Sequence, residues 1–514
     1  MTADFRRLFS ATGWKTALLV LCAGAAAALS LPPVYAFPIL PFALIVLYKT
    51  ASQAPTMRWA ALWGFLFGMG FHTAGLYWLT CAILTRVHEF WWVVPFAAPG
   101  VALIIAPLIA VPAMACRLVP SGWPRIFLFS AAWTLADMSR VFFFSGFPWN
   151  PLGSALEVPG FIGDVLIQPA SIVGVNGLGL ALVLASLALW HGRRAALVVC
   201  IGGVLWCIFG VWRLDHVQPQ AVTNPYLVLV QGNVSEDDVL GRGDALHNFQ
   251  SYLTQTTEGV QKALPQARAE GRSVVVVWPE SAFPGLLDED ELARRMISDA
   301  AQGAPVLVGS DRRADGHWYN SLEAVGAGGA LEAIYDKSRL VPFGEYQPWI
   351  IPFNILPAVL TPGDGLKTWE LPNIGRVGPM VCYEIIFSGA VVAPGKRPHW
   401  LVTISNDAWY GNSAGPRQHL ATGRMRAVEE GLPVVFSNNR GVSAIYNAVG
   451  HEEKRTVWGR EQTLLQSISP PLPPTLFSRY SNVGVVIVSF FLLLCSLLSK
   501  GRNFFKTRLP LMVR

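Results

Sequence analysis

Val377-Gly378-Pro379-Met380-Val381-Cys382-Tyr383-Glu384 decides the fold of the second half of the chain. Val377–Cys382 reads as a short buried strand that ends on a thiol. Strand ends are where sites collect in α/β domains. Five more short apolar runs surround it in sequence: Tyr226–Gln231, Ser273–Trp278, Pro305–Gly309, Leu401–Ser405 and Val434–Ser437. Between them lie charged, helix-like stretches at His247–Glu270, Glu289–Gln302 and Pro416–Glu430. Strands alternating with helices predict one α/β domain over residues 225–470, with helices covering sheets. A proline-rich stretch, Pro470–Pro474, follows it, and no internal repeat interrupts it.

Outside that block the chemistry changes. The whole chain is 52% hydrophobic and only 14% charged, against about 25% charged in an ordinary soluble domain. Its mean hydropathy is +0.40. Disorder is excluded, because it needs low hydrophobicity and high charge. Thr16–Tyr48, Trp59–Thr85, Phe90–Cys116, Val165–Trp190, Ala195–Trp212 and Ser481–Ser499 contain no Asp, Glu, Lys or Arg. Crossing the hydrocarbon takes ~20 mostly apolar residues. Thr16–Tyr48 is long enough for two helices, with Pro32, Pro33, Pro38 and Pro41 forcing a turn between them. A weaker span runs from Ile126 to Phe144, where Asp137 and Arg140 share a helix face and can pair. The expectation is a polytopic α-helical membrane domain of about eight transmembrane helices: seven in residues 1–214 and the eighth at 481–499. Arg6-Arg7 ahead of an apolar run, with small residues near Ala36, resembles a cleavable signal. Six further spans make it a first membrane helix instead.

Loop charge sets the expected orientation. With the N-terminus cytoplasmic, the cytoplasmic pieces carry Arg6, Arg7, Lys15, Lys49, Arg58, Arg117, Arg125, Arg193, Arg194 and the basic tail from Lys500 to Arg514. The opposite short loops carry Arg86, with Arg140 near an end. That asymmetry is the positive-inside pattern. It puts both termini in the cytoplasm and residues 213–480 outside, in the periplasm of a bacterium. The net charge of +6 therefore belongs to topology. It does not mark a nucleic-acid partner.

Six of the seven cysteines lie in apolar spans, where cysteine is a small apolar side chain. Cys382 alone lies in the outer domain, so it has no disulfide partner there, in a compartment that oxidises thiols. A nucleophilic thiol needs a base and a positive neighbour. Glu280, in Val277-Trp278-Pro279-Glu280-Ser281, and Lys337, in Tyr335-Asp336-Lys337-Ser338-Arg339, are candidates at other strand ends. Spacing alone does not bring the three together. The nine histidines show no metal-ligand spacing, no phosphate-binding loop is present, and neither cofactor nor metal is expected. Gly174-Val175-Asn176-Gly177-Leu178-Gly179 lies in a span, where glycines favour close helix packing.

Four blocks in order carry a resemblance. They are Trp278-Pro279-Glu280, Tyr335-Asp336-Lys337 through Leu340-Val341-Pro342-Phe343-Gly344-Glu345-Tyr346, Val381-Cys382-Tyr383-Glu384, and Ser405-Asn406-Asp407-Ala408-Trp409-Tyr410-Gly411. Together they resemble the nitrilase superfamily, and more narrowly the apolipoprotein N-acyltransferase family of Gram-negative inner membranes. Pro416-Arg417-Gln418-His419 and Arg424–Glu429 resemble that family's helix after the Trp loop. The resemblance implies a nitrilase-like αββα sandwich between a seventh and an eighth membrane helix. It makes Cys382 the nucleophile, Glu280 the general base and Lys337 the oxyanion donor. It assigns supporting places to Glu345, which would orient Lys337, and to Tyr383 and Glu384 beside the nucleophile. It also implies transfer of an acyl chain from a phospholipid, through a Cys382 thioester, to the α-amine of a diacylated apolipoprotein. Apart from the resemblance, nothing in the spans demands a protein partner, so a monomer is expected.

Two departures bear on substrate. Val234-Ser235-Glu236-Asp237-Asp238-Val239-Leu240 is acidic where the family carries a Lys-Trp pair, and Ser437-Asn438-Asn439-Arg440-Gly441 is also unusual. Apolar residues Trp349, Ile350, Ile351, Pro352 and Phe353 are expected to cover the thioester from water, or to anchor at the bilayer surface. Gly146-Phe147-Pro148-Trp149-Asn150 is expected near the opening. A membrane-tethered amidase or hydrolase with the same triad and water as acceptor stays open. So does a lipid-binding scaffold with an inactive domain.

Overall fold

A computed structural model describes residues 12–84, 91–235, 244–348 and 359–508, with backbone only beyond Ser499. The chain forms two compact units. One comprises Met1–Phe143, Pro148–Arg213 and Tyr480–Arg514; the other comprises Phe144–Phe147 and Leu214–Arg479.

The first unit is helical. Among the described residues, three helices have the length and apolarity to cross a membrane: Val94–Ala115, Ala170–Ala188 and Arg193–His216. Shorter apolar helices occupy Trp14–Ala28, Ile39–Gln53 and Val483–Ser499. Met57–Gly75 and Trp123–Met138 are also helical. The proline cluster falls between Trp14–Ala28 and Ile39–Gln53, where the ladder has to break. Small residues let these helices approach. A Cβ on Gly24 would stand 2.1 Å from the Phe67 carbonyl oxygen, and one on Gly70 would stand 2.0 Å from that of Leu21. Backbones this close leave no room for a side chain. Gly174 works differently from the packing role expected of its run: its backbone is non-helical (φ 66°, ψ 176°), so it kinks Ala170–Ala188. Asp137 and Arg140 pair at 2.7 Å, and Arg140 also donates to the Trp149 carbonyl.

The second unit is built on two six-stranded sheets, ordered β12-β1-β2-β3-β4-β5 and β11-β10-β9-β8-β7-β6. In the first, β1 (Tyr226–Gln231), β2 (Val274–Val277) and β3 (Val306–Ala314) are parallel. The strands β4 (His317–Val325), β5 (Leu331–Asp336) and β12 (Gln462–Ser467) join antiparallel. In the second, β7 (Gly375–Val381), β8 (Trp400–Ser405) and β9 (Val434–Asn438) are parallel. They are flanked by antiparallel β6 (Trp369–Leu371), β10 (Ala444–Tyr446) and β11 (Glu452–Arg455).

The valine run explains the layers. Side chains alternate across a strand. Val275 and Val277 join Leu227 and Leu229 in one cluster with Val377, Val402, Ile404 and Val435, so these pack sheet on sheet. Val274 and Val276 point the other way, into a cluster with Val260, Ala263 and Ile297 from helices Ala245–Ala269 and Glu291–Ala300. A strand covered on both faces has to be apolar throughout. Helix Ala414–Glu430 packs against β9 and β10. The result is a helix–sheet–sheet–helix sandwich. Its parallel strands β2, β7 and β8 all run toward one end, with Glu280, Cys382 and Asn406 just beyond.

Candidate active site

Glu280 lies just past β2. The end of that strand is pinned where Trp278 stacks on Tyr252, with rings 4.8 Å apart, and donates its indole N–H to Thr256 Oγ1 at 2.9 Å. Gly309 on β3 has to be glycine: a Cβ there would stand 2.3 Å from the Pro279 carbonyl oxygen and 2.6 Å from the Glu280 Cα. The buried Glu280 carboxylate accepts from Asn320 Nδ2 at 2.6 Å and from the Asn406 backbone N–H at 2.7 Å.

Lys337 follows β5, and its N–H bonds to the Asn320 carbonyl at 2.8 Å. The ammonium is wholly buried. It lies 2.5 Å from Glu345 Oε1 and 3.7 Å from Glu280 Oε1. Glu345 is fixed in turn, because its Oε2 accepts the Val341 N–H at 2.8 Å.

Cys382 begins a short 3-10 turn immediately after β7 and is only 7% exposed. Its φ is 53°, a left-handed conformation uncommon for a residue with a side chain. Ser405 Oγ stands 3.4 Å from Sγ. Tyr383 donates its hydroxyl to the Gly146 carbonyl, and Ser145 Oγ donates to the Leu340 carbonyl at 2.7 Å. Glu384 is a clamp. Its Oε1 accepts from Tyr335 Oη (2.6 Å), Ser338 N (2.8 Å), Ser338 Oγ (2.6 Å) and Arg339 N (3.2 Å), and its Oε2 accepts from Val381 N at 2.8 Å. It ties the Lys337 loop to the nucleophile turn.

The electrostatics follow from burial. Burial pushes the Cys382 thiol well above its ordinary value, the Glu280 charge adds to that, and Lys337 opposes it. Burial also raises the Glu280 carboxyl, against the pull of Lys337. Burial alone would lower Lys337, but the charges of Glu345, Cys382 and Glu280 outweigh it and hold the ammonium protonated. A neutral thiol beside a carboxylate of raised basicity and a permanent cation suits general-base activation at the moment of attack.

Several other polar residues complete the site. Asn320 is an ordinary mid-strand asparagine. Asp407 accepts from Ser405 Oγ (2.9 Å) and Asn438 Nδ2 (2.6 Å), and meets His419 Nδ1 at 2.9 Å. Ser405 ends β8 and Asn406 and Asp407 follow it directly, within the block that carries the sequence resemblance. Ligand-type atoms of Cys382, Asp407 and His419 lie within 4.8 Å of one another, but the Asp407–His419 pair is engaged in its own hydrogen bond. Asn439 exchanges hydrogen bonds with the backbone of Val234 at 2.9 Å in each direction, anchoring the start of the acidic segment. Residues 236–240 of that segment, and the apolar residues Trp349–Phe353, lie outside the described residues. Gly146 and Phe147 group with the sheet unit, whereas Trp149 and Asn150 group with the helical unit, where Asn150 Nδ2 donates to the Gly75 carbonyl at 3.0 Å.

Comparison with known proteins gives two family matches. Residues 242–469 match the carbon-nitrogen hydrolase family, and residues 23–188 match the apolipoprotein N-acyltransferase N-terminal domain. The chain is 33% identical over 476 residues to a protein named apolipoprotein N-acyltransferase from Allorhizobium ampelinum, covering 86% of this chain and 88% of the relative. It is 32% identical over 523 residues to one of the same name from Rhodopseudomonas palustris, covering 95% and 96%. A third, from Bradyrhizobium diazoefficiens, is 32% identical over 518 residues, covering 94% and 95%.

Proposed function

The chain belongs to the apolipoprotein N-acyltransferase family, and on that premise we propose that it carries the acyl group on Cys382. It is a membrane acyltransferase of lipoprotein maturation. The proposal concerns which residues do the chemistry, what donates the acyl chain and on which side.

In the first half, Glu280 takes the Cys382 proton as Sγ attacks the ester carbonyl of a phospholipid. The negative charge that forms on the carbonyl oxygen is met by Lys337 Nζ. The intermediate collapses, the C–O bond breaks, and protonated Glu280 returns its proton to the departing lysophospholipid alkoxide. A thioester remains. In the second half, the α-amine of a diacylated apolipoprotein attacks the thioester carbonyl. Glu280 takes the amine proton, the C–S bond breaks, and Cys382 leaves as a thiolate and regains a proton from Glu280. The product is an amide. Glu345 keeps Lys337 charged and aimed, and Glu384 keeps the Lys337 loop against the nucleophile.

The single observation that carries this reading is the buried Glu280–Lys337–Glu345 set acting on the sheet unit's one thiol. Water as acceptor is the weaker reading, because it leaves the match at residues 23–188 without a purpose. We further propose eight membrane helices, cytoplasmic termini, a periplasmic catalytic unit in the inner membrane, and a monomer. The support for the orientation is the loop-charge asymmetry.

The test is intact-mass spectrometry of the purified protein after incubation with phospholipid, with Cys382→Ser alongside. An acyl-sized gain on wild type alone, released by hydroxylamine or by a diacylated lipopeptide, is the expected result. No gain, or an equal gain on both, removes Cys382 from the mechanism.

A further inference from the structure

Behind the nucleophile lies a polar set that the chemistry above does not use. Three elements meet there: the turn after β7, the turn after β8 and helix Ala414–Glu430. His419 is 1% exposed and Asp407 is 0% exposed. His419 Nε2 faces the Cys382 carbonyl oxygen at 3.1 Å, and Nδ1 faces Asp407 Oδ1 at 2.9 Å. Asp407 is held from its other side by Asn438, whose Nδ2 donates to Oδ2 at 2.6 Å and whose Oδ1 accepts the Asp407 N–H at 3.0 Å. The imidazole packs edge-on to Phe436, 5.0 Å between rings.

The hydrogen-bond inventory is restrictive. A carbonyl oxygen only accepts, so the Nε2 contact needs a proton on Nε2. The Nδ1–Oδ1 contact then needs a second proton between them.

The carbonyl is no ordinary one. It belongs to Cys382, whose left-handed backbone (φ 53°) needs support from its surroundings. In a trans peptide, C=O and N–H point in opposite directions. Holding the Cys382 carbonyl therefore fixes the whole Cys382–Tyr383 peptide plane, and with it the direction in which Sγ is presented.

We propose that His419, held by Asp407, is a positioning residue that fixes the backbone of the nucleophile from behind. It touches neither substrate nor the reacting atoms. The proposal rests on Cys382 being the nucleophile.

Two amides of similar polarity separate this role from simple cavity filling. In His419→Gln the amide nitrogen takes the place of Nε2 and keeps a donor for the Cys382 carbonyl. In His419→Asn it takes the place of Nδ1 and keeps only the contact with Asp407. Full-length protein in detergent is incubated with phospholipid, and the single-turnover rate of thioester formation is followed by intact mass as donor concentration varies. The Gln variant is expected to stay within about tenfold of wild type, and the Asn variant to fall about a hundredfold at saturating donor, with half-saturation unchanged within about twofold. Equal rates, or a faster Asn variant, overturn the proposal. Should either amide fail to fold, Asp407→Asn gives the answer: about tenfold slower acylation is expected, and a wild-type rate overturns it. No thioester on wild type sinks the reading of Cys382 itself, which is a separate outcome.

Discussion

Lys337 is where burial and charge compete most openly. A buried ammonium loses its hydration and tends to shed its proton. Here Glu345 at 2.5 Å, with the charges of Cys382 and Glu280, reverses that tendency. Glu280 moves in the direction that burial dictates, upward, so it becomes a usable base only as pH passes its raised value. These two directions predict the shape of the pH profile. Single-turnover acylation should rise with pH through the Glu280 titration. It should then stay flat up to the ordinary lysine value of 10.5, because Lys337 keeps its proton there. Replacing Glu345 with Gln removes the largest charge opposing burial, so an alkaline falling limb should enter the profile; a profile identical to wild type sinks the account of Glu345. Lys337→Met, which removes the donor outright, should slow acylation by about 10²–10³. An unchanged rate constant at saturating phospholipid would place the oxyanion elsewhere.

At the scale of elements, the site depends on how closely β3 lets β2 pass. Gly309→Ala would push a Cβ into backbone at 2.3 and 2.6 Å, and backbone cannot swing aside as a side-chain tip can. We expect a loss of about 1–3 kcal/mol in thermal or denaturant unfolding. Acylation should slow about a hundredfold as Glu280 is displaced; an alanine variant that melts and reacts like wild type would show the strands have slack. Glu323 on β4 makes a different point. It is buried, and neither of its carboxylate oxygens has a hydrogen-bond partner among the described residues. Burial, with Asp288 adding to it, pushes its carboxyl up to about 8, whereas an unfolded glutamate titrates near ~4.3. Between those values the folded chain keeps a proton that the unfolded chain has released, so stability falls as pH rises through the window. Glu323→Gln carries no such penalty and should melt about 2–4 °C above wild type at pH 8, yet level with it near pH 4.5. A gap independent of pH would contradict this. β4 also shows the limit of reading strands from sequence. The valine run of β2 is apolar throughout and the parallel strands β7 to β9 are mostly so, which makes them legible. Residues 317–325 mix His, Trp, Tyr, Asn, Ser and Glu, because one end is exposed and Asn320 faces a carboxylate. That strand was not foreseen, and with it went Asn320. Cys382, Glu280 and Lys337 were legible as chemical types at strand ends. His419 was visible only as part of a helix, since its contact with Cys382 exists only after β7, β8 and that helix have met.

For the whole molecule, the question is which side of the membrane the sheet unit occupies. Its single thiol is buried, 7% exposed, in a unit with no second cysteine to pair with. A lone, shielded thiol is suited to an oxidising compartment, where an exposed one would be capped or cross-linked. Charge supports the same side: on the proposed eight-helix topology Lys49, Arg58, Arg117, Arg125, Arg193 and Arg194 all fall at the cytoplasmic helix ends and the short segments joining them. Translocation selects against short segments that carry lysine and arginine, so the proposed topology predicts these positions on the cytoplasmic side and the segment after Arg193–His216 on the other. Two exposed positions convert this into a measurement. Lys262 lies on the helix Ala245–Ala269 of the sheet unit with its side chain 68% exposed, and Arg194 is exposed at the start of Arg193–His216. In a background lacking the six cysteines outside the sheet unit, Lys262→Cys in intact spheroplasts should react with a membrane-impermeant maleimide. Arg194→Cys should react only after permeabilisation. The reverse pattern would put the catalytic unit in the cytoplasm, and labelling of both without permeabilisation would mean that Arg193–His216, apolar enough to span, does not do so.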